Sequence, residues 1–247
     1  GGPPIPDDVY EFPVRKAIRS AERFSAALDR ERAYAERELV AASDDGKPEG
    51  FVPPGDRSGL RGWARAEALL GRLESLRHGD PLRGLGIAQL AVAVASQIDP
   101  TSHPRGYVGD LLARAWGELG NFLRLTADLG AAEAAFHRAI AAWDAGTRDT
   151  VLLARISEHA GSLRIDQRDF SGALSLFEAA QSRYESIGDR SAVGRALLKK
   201  GIAHSYQGEP VESLAYLISA LDFLDPQVDG RMIFIAVHNL TDVRIRL

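Results

Sequence analysis

Three glycines recur along this chain at nearly constant spacing: Gly120, Gly161 and Gly201. One further step reaches Thr241, so the steps are 41, 40 and 40 residues. Each marker has similar surroundings. Leu119-Gly120, Ala160-Gly161 and Lys200-Gly201 are followed by a break at Asp128-Leu129, Asp169-Phe170 and Gly208-Glu209-Pro210. Each break then leads into a small–large–small series: Ala132/Phe136/Ala139, Ala173/Phe177/Ala180 and Ser213/Leu217/Ala220. That spacing of four and three puts the series on one face of a helix. A unit of about 40 residues cannot bury such a face alone, so neighbouring units must stack. The glycines fall where two antiparallel helices would cross most closely, and the phenylalanines would fill the space toward the next unit.

The first unit carries Trp116, Leu119-Gly120, Leu123, Ala132 and Phe136 in order. This resembles the tetratricopeptide pattern of Trp, Leu-Gly, Tyr, Ala and Phe, with Leu123 where the tyrosine usually stands and Asp144 near the place of the closing proline. The resemblance covers residues 108–247 and extends to 60–247 if a divergent first pair is counted. It implies an all-α fold: a right-handed superhelix of antiparallel helix pairs, a TPR-like α-solenoid, preceded by a long N-terminal helix. The standard repeat is about 34 residues; here the extra residues fall in joins such as Asp144 to Thr150 and Ser186 to Arg190.

Upstream punctuation sets the remaining boundaries. Residues 1–12 hold Pro3, Pro4 and Pro6 and read as an extended lead-in or tag scar. The only methionine is Met232, so Gly1-Gly2 reads as a tag remnant or a cut inside a longer protein. Residues 13–42 predict one long helix starting at Pro13, with Val14, Ile18, Ala21, Leu28, Ala35 and Leu39 on one stripe. The stretch 43–58, rich in Gly, Pro and Asp, predicts a linker. The repeat domain then spans 59–247: a divergent pair at 59–100, repeats at 108–148, 149–188 and 189–228, and a partial repeat at 229–247. Val237, Leu240 and Val243 in the last segment predict a surface open to self-association.

Composition narrows the function. A net charge of −4 argues against a nucleic-acid surface. No run of eighteen apolar residues predicts a membrane span, and the absence of cysteine excludes disulfides and thiolate metal sites. No nucleophile elbow, phosphate loop or HExxH is present, and His78, His103, His137, His159, His204 and His238 include no pair with metal-ligand spacing on one helix face. The expectation is a chain with no catalytic residues, no metal and no cofactor.

In the family, the first helix of each repeat lines the inner groove. Carried over, that implies Arg114, Gly117, Asn121, Arg124 and Leu125; then Arg155, Glu158, Ser162, Ile165 and Asp166; then Arg195, Leu198, Lys199, Ile202, Ser205 and Tyr206. Arg114, Arg155 and Arg195 hold equivalent places and predict an arginine ladder suited to carboxylates. A subset of the family grips a peptide's C-terminal carboxylate with Lys and Asn. Asn121 matches one such place, and Arg195 and Lys199 match two in charge, while Gly117 and His159 replace a lysine and an asparagine. The resemblance implies a cytoplasmic, non-catalytic scaffold or adaptor of a larger bacterial regulatory protein, binding a protein or peptide, acidic or carboxylate-bearing, with neither nucleic acid nor membrane as partner. The alternatives are a peptide-sensing receptor that switches an attached effector, and the interaction domain of an enzyme.

Overall fold

The computed structural model describes residues 8–44 and 59–246. Among these there are ten α-helices and no strand: α1 (Asp8–Asp44), α2 (Gly59–Gly79), α3 (Pro81–Ala95), α4 (Tyr107–Leu125), α5 (Leu129–Ala145), α6 (Thr150–Asp166), α7 (Phe170–Ser186), α8 (Arg190–Gln207), α9 (Pro210–Phe223) and α10 (Gly230–Arg246), with a single 3₁₀ turn at Pro100–Ser102. The fold is all-α. Helix α1 is helical from Asp8, upstream of the Pro13 start that the sequence suggests. Most of the linker, residues 45–58 with Phe51 and Val52, lies outside the described residues, as do residues 1–7.

The turns between helices explain the recurrent breaks. α4, α6 and α8 each end in a Schellman motif, in which a left-handed residue lets two amides reach back to orphan carbonyls. The Asp128 amide bonds the Leu123 carbonyl at 2.9 Å, Asp169 that of Arg164 at 2.8 Å, and Glu209 that of His204 at 2.9 Å. The left-handed residues are Ala127 (φ 65°), Arg168 (φ 61°) and Gly208 (φ 85°), so glycine fills only the third. The next residue then caps the following helix. Asp128 accepts from the Ala131 amide and Asp169 from the Gly172 amide. Asp149 and Asp189 cap α6 and α8 in the same way.

Each helix packs on its sequence neighbour, and α2, α4, α6, α8 and α10 also touch one another in succession. The glycine markers sit at the closest crossings. A Cβ on Gly161 would stand 2.5 Å from the Phe177 ring, on Gly120 2.9 Å from Phe136, and on Gly201 2.8 Å from Leu217. The rings of Phe136 and Phe177 and the Leu217 side chain are buried there. Helix α1 adds Leu28, Ala35 and Leu39 to the apolar cluster of α2 and α3. Glu38 accepts from Arg61 and Arg65, and Glu67 of α2 accepts from Arg32 at 2.7 Å. No described helix is long and apolar enough to cross a membrane.

Candidate functional site

The row of even-numbered helices encloses a groove of about 890 Å³. Twelve of the residues carried over from the sequence line it: Asn121 and Arg124 from α4; Arg155, Glu158, Ser162, Ile165 and Asp166 from α6; Arg195, Leu198, Lys199, Ile202 and Tyr206 from α8. Arg114 does not. His159, at the place of a family asparagine, lines it as well, and the structure adds residues that the sequence reading missed: Arg77 and His78 from α2, Tyr184 of α7, and Arg231, Met232 and Ile235 from α10.

Two buried carboxylates organise the floor. Glu118 accepts from Arg77 at 2.9 Å, has Arg155 at 3.7 Å, and lies 3.9 Å from His159 Nε2. Glu158 has Lys199 at 3.0 Å and Arg195 at 3.8 Å, and accepts from the Tyr184 hydroxyl at 3.1 Å. Burial alone would raise the Glu158 pKa, but Lys199 and Arg195 outweigh it and hold the carboxyl at about 2. Burial and the cations around it push His159 well below its ordinary value, so the ring is neutral at pH 7. Burial likewise lowers Lys199 against the opposing pull of Glu158.

The arginine ladder has a simple rule. Arg155 pairs with Glu118 and Arg195 with Glu158, each 37 residues upstream. The same step from Arg114 reaches Arg77, a second cation. Arg114 therefore lacks that partner; its Nε is buried without a hydrogen bond, and burial, with Arg155 nearby, lowers its pKa. Arg77 reaches forward to Glu118 instead. One step beyond Arg195, the positions hold Ile235 and Leu198, so the rung nearest α10 is apolar. Glu118 was thus detectable in the sequence through the 37-residue offset.

Asn121 is the most informative residue of the floor. It is 1% exposed. Its Oδ1 accepts from Arg124 Nη2 at 3.1 Å and Nε at 3.3 Å, which fixes the amide orientation, because the reverse would set donor against donor. Nδ2 is left as a buried donor with no partner, as is Arg77 Nε. Arg124 is held from its other side by Asp166 at 2.9 Å, and Lys199 donates to Ser162 Oγ at 3.1 Å. With the buried Glu118 counted, the groove has six cationic and six carboxylate side chains, so its charge is close to balanced. No group of three or more His, Asp or Glu among the described residues is arranged to hold a metal.

No protein-family model matches this chain, and no curated protein matches it either. Among solved structures, the chain is similar to the crystal structure of BtubC (BKLC) from P. vanneervenii, at 15% identity and a TM-score of 0.57 over 89% of this chain and 87% of that chain. At that identity the likeness is one of fold, over most of both chains.

Proposed function

We propose that this chain is a tetratricopeptide-like α-solenoid that holds an extended peptide segment of another protein in the groove formed by α2, α4, α6, α8 and α10, as a non-catalytic adaptor module of a larger cytoplasmic bacterial regulatory protein. The observation that carries the reading is the unpartnered Nδ2 of Asn121 on the groove floor. A buried donor without an acceptor costs about 1–3 kcal/mol, and a ligand oxygen that reaches it by parting the side chains that cover it recovers that cost. The acceptor is a carboxylate or a peptide carbonyl.

The two ends of the groove differ. Cations stand at both ends, Arg77, Arg124 and Arg155 toward α2 and Arg195, Lys199 and Arg231 toward α10, but Leu198, Ile202, Met232, Ile235 and the 63% exposed Tyr206 add an apolar surface at the α8–α10 end. The fitting ligand accepts hydrogen bonds near Asn121 and places apolar side chains toward α10. Five helices about 9 Å apart span roughly 36 Å, the reach of about 11 extended residues. Because the charge is balanced, affinity rests on hydrogen bonds and apolar burial and changes little with salt.

The test is selection of a random peptide library on the full chain. Calorimetry of the recovered peptides then compares the native protein with Asn121→Ala, Tyr206→Ala and, as a control on another surface, Ile218→Ala. The reading expects about tenfold weaker binding for the first two, as loss of one or two such contacts implies, and no change for the third. Equal binding by all four proteins, each shown folded by its melting curve, refutes it.

A further inference from the structure

Three cations of the groove spend their donors on carboxylates. Arg77 donates to Glu118 at 2.9 Å, Arg124 to Asp166 at 2.9 Å, and Lys199 to Glu158 at 3.0 Å. Arg155 and Arg195 differ. They stand beside the same two buried carboxylates, Arg155 3.7 Å from Glu118 and Arg195 3.8 Å from Glu158. Those separations are too long for hydrogen bonds, so each guanidinium has its charge compensated while N–H groups stay open to a ligand. The two side chains are 43% and 31% exposed, within reach of a molecule in the groove. They hold equivalent places on α6 and α8, and the arrangement recurs from one repeat to the next. Arg195 also lies over the Tyr184 ring at 5.9 Å, which helps to hold it in place. Asn121 Nδ2, on α4 of the same row, is a third open donor and carries no charge.

Open donors combined with balanced charge select the ligand group. A carboxylate or phosphate bound at Arg155 or Arg195 would face Glu118 or Glu158 close behind the same guanidinium. Glu158 stays ionised at neutral pH, because Lys199 and Arg195 hold its pKa at about 2. An anion at either arginine is therefore repelled from behind the cation that attracts it. A peptide carbonyl accepts the same N–H groups and adds no charge. An extended segment offers one such carbonyl per residue, none of them taken up by helix or sheet. Resting on the reading that the groove holds an extended peptide, we infer that Arg155 and Arg195, with Asn121, grip main-chain carbonyls of that peptide. The partner is then recognised as extended backbone, without need of acidic side chains or a C-terminal carboxylate. Glu118 and Glu158 act as positioning residues that cancel the charge of the two arginines and keep them over the groove floor. Side-chain preference comes from the apolar surface toward α10, at Leu198, Ile202, Met232 and Ile235.

Two libraries of peptides about 11 residues long, selected on the full chain, test the inference. One is unrestricted; the other is built without Asp or Glu and ends in a C-terminal amide. The anion-free library should yield binders within about threefold of the best unrestricted ones, with affinity changing less than about twofold between about 50 and about 500 mM NaCl. In the tightest anion-free peptide, backbone amides are then replaced one at a time by esters, whose carbonyls are weaker acceptors. Binding should fall about fivefold at the positions that meet the arginines and little elsewhere. Arg155→Met and Arg195→Met should each abolish the ester effect at one position, which a general loosening of the fold would not do. Binders that come only from the unrestricted library, and that lose affinity with their Asp, Glu or terminal carboxylate, overturn the inference and leave the groove reading standing. An ester scan that is flat, or unaltered in both arginine variants, does the same. No binder from either library overturns the groove reading and this inference with it.

Discussion

Glu158→Gln is the perturbation with the best-defined consequence. The carboxylate is buried among Lys199, Arg195 and the Tyr184 hydroxyl, and its folded-state pKa is about 2 against an ordinary 4.5. A gap of roughly 2.5 pH units, at about 1.4 kcal/mol per unit, is worth about 3 kcal/mol. An independent route gives a similar value: removing one partner of a buried ion pair costs about 3–5 kcal/mol, because the other charge stays buried without it. Because the folded pKa is the depressed one, the stabilisation is fully present above about 4.5 and is lost as pH falls toward about 2. Urea unfolding followed by tryptophan fluorescence should therefore show the glutamine variant about 3 kcal/mol less stable at pH 7, with the two proteins converging near pH 2. Adding Lys199→Met to the variant should recover part of the loss, because it removes the nearer of the two cations left without the carboxylate and leaves only Arg195. A loss below about 1 kcal/mol, or one that does not shrink on acidification, refutes the reasoning about this carboxylate.

Two further predictions concern packing and the backbone. Gly161→Ala pushes a methyl group into the Phe177 ring and should cost about 1–3 kcal/mol, whereas Gly86→Ala, with nothing within 4 Å of its new Cβ, should stabilise α3 by about 0.5–1 kcal/mol; equal effects in thermal unfolding would contradict the close crossing. Ala127→Gly and Arg168→Gly relieve left-handed backbones at φ 65° and 61° and should each raise stability by about 0.5–1 kcal/mol, while a fall in either would show that the Schellman geometry at those turns is misread.

The sequence made the helical character and the period legible because close helix crossings demand glycine and a facing ring. Such demands leave identifiable residues at Gly120, Gly161 and Gly201, with Phe136 and Phe177 opposite. The divergent pair carries no such signature, so nothing announced that Arg77 of α2 would reach Glu118. Arg114 illustrates the limit of equivalence. It holds the same place as Arg155 and Arg195, but an arginine's role depends on what stands 37 residues upstream, and there it meets Arg77. Val243 reads as an apolar residue open to a partner, yet it is 2% exposed, because it lies on the side of α10 that faces the body. Phe234, one of the most exposed residues of that helix, went unnoticed in the sequence for the corresponding reason: an apolar residue in an amphipathic helix reads as core until the opposite face is known. Asn121 was found by resemblance, but its unpaired donor is a fact of three dimensions, since it depends on where Arg124 directs its guanidinium.

The groove is the central claim, and hydrogen exchange on the full chain with and without a library-selected peptide tests it most directly. The account predicts slowed exchange in α4, α6 and α8 around Asn121, Ser162 and Ile202, extending to α10 near Met232, with α5, α7 and α9 unchanged. Protection confined to α1 or to the odd-numbered helices, with the even-numbered row unaffected, would contradict it.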